Sequence, residues 1–242
     1  MYVSTFLLTT TLIIITAAAP YASGQLSSVK PKIRGSLLEE WDRQLQSATA
    51  SMLKTSDDYR ATVLWTVGQT SESGYTPPGI FDGMGAYKLS NVNNTLRLLV
   101  NHELRNTQGY EYVLDNGLTA RGARVSYFDI DINRKRVKDA ALAYDLLYDV
   151  DGAPASDRAE VFLNDFKGLS RFCSGRLVKP EQFESGSGVK ELIYFAPEED
   201  GGEFNEHGGH YWALDVEGEI RGLWDIGALG RGAWENLAPV SA

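Results

Sequence analysis

One cysteine, Cys173, stands in 242 residues, so no disulfide can form within the chain. Basic residues are outnumbered, and the formal charge is −9. A nucleic-acid partner needs a basic patch, so that class is excluded. There is no glycine-rich phosphate loop of Walker type, no G-x-S-x-G nucleophile elbow and no EF-hand loop. After the first residues no apolar run is long enough to cross a bilayer, so stable membrane insertion of the processed chain is not expected.

The N-terminus is the apolar exception. "TFLLTTTLIIITAAA" is uncharged, and small residues at Ala22 and Gly24 suit a cleavage site. Residues 1–24 therefore read as a signal peptide, although the run lacks the usual basic start; an N-terminal membrane anchor is the alternative. Residues 25–60 read as a partly helical arm. Within it Leu37, Leu38, Trp41, Leu45 and Met52 fall roughly on one helical face, after a capped start at Ser36. A secreted chain with one cysteine raises a question of its own. The thiol is an intermolecular bridge, a reactive group, a metal ligand or a small buried apolar residue.

From residue 61 onward, short β-prone runs alternate with turns rich in Gly, Asn and Asp. They are 61–67, 96–104, 124–132, 191–199, 210–216 and 219–226. Twenty-four glycines and this spacing predict an all-β protein, a sandwich or a β-propeller. "YWALDV" and "EIRGLW" flank Glu217-Gly218 and predict a tight hairpin. "SYFDID" and "YWALDV" are similar enough to be equivalent strands of repeated units. Residues 134–150 fit a helix, or a strand and a loop.

Four clusters could carry chemistry. Asn101-His102-Glu103 ends an apolar strand, where a loop face opens and a carboxylate suits calcium or iron. Cys173 offers a thiolate. Glu198, Glu199 and Asp200 follow a strand-like run and precede two glycines. Glu235 lies between Trp234 and Asn236, in apolar and glycine-rich company, where a carboxylate needs a partner if buried. A polar strand end, a buried thiol and a solvated loop are the plain alternatives for the first three. His207 and His210 have metal-like spacing, but Gly208 and Gly209 between them disfavour a ligand-bearing helix.

The order "YTPPGIFDGMGAY", "LLVNHEL", "GARVSYFDID", "RFCSG", "IYFAPEED" and "GRGAWENLAPV" resembles the PhoX-type alkaline phosphatases over about residues 74–240. That resemblance implies a secreted or periplasmic phosphomonoesterase on a β-propeller, with an iron and calcium cluster at one end of its channel. It implies metal-site roles for Glu103, Cys173, Glu198 or Glu199, and Glu235. It would leave Cys173 unpaired because its thiolate binds iron. A phosphate monoester would be the substrate. The chain departs from the family in its stretch between Cys173 and the Glu-Glu pair, and it lacks a twin-arginine leader. Residues 61–242 are also short for six blades of ~40–50 residues, so a propeller truncated after Ala242 is expected. A non-enzymatic, calcium-stabilised propeller and a calcium-dependent lactone or ester hydrolase remain alternatives.

Overall fold

The computed structural model describes residues 11–16, 60–162, 168–180, 182, 189–201, 208–218 and 220–238. The helical arm expected over 36–54 and His207 lie outside the described residues. The chain divides into two units, Met1–Val67 and Gly68–Ala242. In the first unit the β-branched run of β1 (Thr11–Thr16) pairs in parallel with β2 (Arg60–Thr66). No described helix is long and apolar enough to cross a membrane.

The second unit is built on two four-strand antiparallel meanders. β3 (Phe81–Lys88) and β4 (Thr95–His102) form the first hairpin. Two short strands follow, β5 (Tyr112–Val113) and β6 (Thr119–Gly122). β7 (Arg124–Asp131) then pairs with β4 along its whole length, from Thr95 opposite Asp131 to His102 opposite Arg124. β8 (Arg136–Leu142) completes the sheet in the order β3-β4-β7-β8. β4 is an inner strand and carries Leu98, Leu99 and Val100 in a row, so both its faces are buried.

β9 (Leu146–Tyr148) follows, then one turn of helix, α1 (Arg158–Val161). Asp157 caps that turn and Glu160 reaches back to the cap, as a capping box requires. β10 (Gly168–Leu169) joins β6 and β5 in a small sheet. β11 (Arg176–Val178), β12 (Ile193–Pro197), β13 (Tyr211–Asp215) and β14 (Gly222–Asp225) form the second meander, with β9 added in parallel to β14.

All-β is therefore correct. β7 and β13, read as equivalent from their sequences, are each the third strand of a meander. Residues 134–150 resolve as β8 and β9 rather than as a helix. The hairpin over 211–226 is real, but its loop is longer than two residues. Asp215 accepts the backbone N–H groups of Glu217 and Gly218 and closes the chain into a wider turn.

One apolar core joins the sheets. It holds Leu99 and Val125 from the first meander, Tyr194, Trp212, Leu214 and Leu223 from the second, and Leu147 and Phe172 between them. Each such side chain contributes about 1.5–3 kcal/mol by leaving water. Where β3 meets the segment leading into β11, the backbones almost touch. A Cβ on Gly83 would lie 2.0 Å from the Gly175 nitrogen, and one on Gly175 would lie 2.0 Å from the Tyr194 hydroxyl. Only glycine fits there, and the Gly83 N–H donates to the Cys173 carbonyl at 2.7 Å.

Candidate metal centre

Four strand ends and one later segment converge on one place. Asp82 is the second residue of β3, and Glu103 follows the last residue of β4. Cys173 precedes β11, Glu199 follows β12, and Glu235 lies in the segment beyond β14. Ligand atoms of Asp82, Glu103 and Cys173 all lie within 4.8 Å of one another, as do those of Cys173, Glu199 and Glu235. The sulfur is the corner the two triads share. Glu103, Cys173, Glu199 and Glu235, far apart in sequence, are thus brought together.

Glu198 is not brought in. Adjacent residues of an extended chain point to opposite faces. Glu199 faces the cluster while Glu198 turns into the protein, where it is 2 % exposed. Its two oxygens accept the N–H groups of Ser170 and His210, each at 2.8 Å. Burial pushes its carboxyl up to about 7. Its task is to tie the chain before Cys173 to the chain before β13. Asp200 is likewise bonded to the Ser170 hydroxyl, and His210 is buried in a pair with Asp225.

The Asn101-His102-Glu103 triplet divides in the same way, with Glu103 alone in the cluster. His102 is fully buried and both ring nitrogens are engaged. A carbonyl can only accept, so Nδ1–H donates to Gly79 at 3.1 Å. Nε2 then accepts from the Ser126 hydroxyl at 2.7 Å, which in turn accepts from Tyr75. Burial holds the imidazole down at about 3, with the Arg124 charge adding to the effect, so it is neutral. Asn101 donates from Nδ2 to the Ser174 carbonyl at 2.5 Å, and its Oδ1 lies 3.0 Å from the Tyr194 hydroxyl. Tyr194 also reaches the Gly83 carbonyl at 2.8 Å. His102 and Asn101 thus hold the backbone on either side of the site, next to Asp82 and Cys173.

Glu235 reaches the cluster because its segment is stitched down. Gly209 bridges Gly232, Glu199 bridges Ala233, and the Trp234 N–H donates to the Glu198 carbonyl at 3.0 Å. The Trp234 ring meets Tyr211 edge to face at 5.7 Å.

Asp82 and Arg171 were not singled out in the sequence. Asp82 lies in "FDG", inside a quoted motif, but a lone Asp beside Gly is a common turn signal. The Cys173 thiol points at its carboxylate, Sγ to Oδ2 3.4 Å. Arg171, two residues before Cys173, bonds Glu103 through Nε and Nη2 (3.0 and 2.8 Å) and Glu199 through Nη2 (3.0 Å).

The electrostatics are those of a place short of positive charge. Burial pushes the Cys173 thiol up to about 12, reinforced by Glu199 and Asp82. Burial also raises the Asp82 carboxyl, with the charges of Glu103 and Glu199 adding to it against the thiol bond. Arg171 is held above its ordinary value, chiefly by its bond to Glu103. Four carboxylates and a thiol meet one guanidinium. Such a donor set fits a hard cation through its oxygens, and a transition metal through its sulfur.

No family model, no curated protein and no solved structure matches the chain.

Proposed function

We propose that the protein is a metal-dependent phosphomonoesterase of PhoX type, exported by its leader and carrying iron and calcium ions on a propeller-like scaffold. The observation that carries this reading is the shared corner at Cys173. A thiol between two carboxylate triads suits a soft and a hard ion side by side. Asp82, Glu103, Cys173, Glu199 and Glu235 would hold them. Two meanders whose first strands run beside each other, with the cluster at one end of both, favour propeller blades over a closed sandwich.

The chemistry requires cations. A phosphate monoester dianion is repelled by an acidic protein and by four carboxylates in particular. Bound ions would offset that charge, polarise the phosphoryl oxygens and lower the pKa of an oxygen nucleophile. The protein's own groups orient the ligands. Asn101 fixes the loop that carries Cys173, Tyr194 fixes the β3 backbone beside Asp82, His102 fixes the turn before Asp82, and Glu198 fixes the chain that carries Glu199.

The test is elemental mass spectrometry on protein purified without chelator, with p-nitrophenyl phosphate turnover on the same sample. Iron and calcium together with phosphate release is the expected result. Calcium alone with no turnover would replace this reading by a calcium-binding module. Turnover of a phosphate-free ester, with no requirement for Cys173, would replace it by a lactone or ester hydrolase.

A further inference from the structure

Arg171 is placed to do more than balance charge. Its guanidinium spans the two triads, bonding Glu103 of one and Glu199 of the other. Those are the carboxylates that cations at the cluster would claim. Its Nη1 has no protein partner among the described residues, and the side chain is 30 % exposed. The backbone beneath it is pinned independently of the side chain. The Arg171 N–H donates to the Leu104 carbonyl at 2.7 Å, and its carbonyl accepts from Cys173 and Glu199 at 2.9 and 3.0 Å. A φ of 47°, uncommon for a residue with a side chain, accompanies that pinning.

A cation bound by Glu103 and Glu199 would compete with the guanidinium for their negative charge. Cations held by Glu103 and Glu199 would weaken their hold on Arg171 and free its N–H groups, on a side chain that is partly exposed. A planar fork of donors in that place matches the oxygens of a phosphate group, which it binds two at a time. We infer that Arg171 is a substrate-binding residue that exchanges Glu103 and Glu199 for a phosphoryl oxygen pair as the cations load. This rests on the proposed reading of the cluster as a cation centre for phosphate monoesters. It adds that cation binding and anion binding are linked through one side chain, each strengthening the other.

The experiment is calorimetric titration of the full chain, stripped of metal, with calcium, and then of the calcium-loaded protein with inorganic phosphate. Wild type, Arg171→Gln and Arg171→Lys are compared. Losing the competing charge should tighten calcium binding in Arg171→Gln by about ten-fold, while losing the fork weakens phosphate by roughly ten- to hundred-fold. In turnover of p-nitrophenyl phosphate, KM should rise more than kcat falls, a split that mere loosening of the loop would not produce. Arg171→Lys keeps the charge, so calcium affinity should stay near wild type while phosphate still weakens several-fold. Calcium binding in wild type, with phosphate affinity and KM unchanged in both variants, overturns the inference and leaves the reading of the site standing. Absence of any cation binding in wild type overturns both. Should Arg171→Gln fail to fold by circular dichroism, Arg171→Lys decides alone: unchanged phosphate affinity and KM there overturn the inference.

Discussion

At the scale of single residues, neighbouring side chains of one type carry different tasks. Glu198 and Glu199 are consecutive carboxylates, yet one is buried against two backbone N–H groups and the other opens onto the cluster. Removing them should have opposite signatures. Glu198→Ala leaves two buried N–H groups without acceptors and should lower stability by about 2–4 kcal/mol, read by urea denaturation. Glu199→Ala removes like charge from a crowded site; stability of the metal-free chain should change little, while calcium affinity falls at least about ten-fold by titration. Cys173→Ser exchanges a soft donor for a hard one. The expected result is loss of iron with calcium retained, read by elemental analysis, together with loss of turnover.

At the scale of elements, the strands place the cluster and two contacts hold the strands. The first is the close approach of Gly83 to Gly175. Gly83→Ala puts a methyl group 2.0 Å from a backbone nitrogen, so β3 and the β11 lead-in must separate. A loss of more than ~2 kcal/mol in denaturant unfolding is expected, with metal affinity falling as well. The second is the link between the meanders at Asp145, just before β9. Its carboxylate receives Arg221 from N, Nε and Nη2, the last at 2.5 Å. Burial alone would raise that carboxyl, and the Arg221 bonds outweigh it, so Asp145 lies below its ordinary value. The sign follows. A depressed carboxyl stabilises the fold above the ordinary aspartate range, and the contribution disappears as pH falls through the depressed value. Asp145→Asn should therefore cost roughly 1 kcal/mol at neutral pH and nothing at the acid end, and thermal melts of both proteins from pH 7 down to 2 would show the curves converging.

At the scale of the whole molecule, the net charge of −9 and the acidic cluster predict a fold that cations stabilise. Ions that bind only the folded chain raise its stability by mass action. Chelation should lower Tm by roughly 5–10 °C, and calcium with iron should restore it. An unchanged Tm after verified removal of metal would count against cations as part of the folded structure.

The sequence alone determined the class of this protein, the strands and most of the donor residues. Alternating apolar residues and turn-forming Gly, Asn and Asp act locally, so β4, β7, β12 and β13 were legible to within one or two residues. The order of motifs also indicated Glu103, Cys173, Glu198 or Glu199, and Glu235. Residues 134–150 were not legible, because their periodicity suits two elements and only pairing with β7 and β14 chooses the strands. Tertiary structure alone decided which of two adjacent glutamates faces the site, since the pleat sets alternation but not its sense. It also added Asp82, a lone Asp whose sequence neighbours resemble any turn. Arg171 likewise acquires its meaning only when β4 and β12 bring Glu103 and Glu199 to the same side chain.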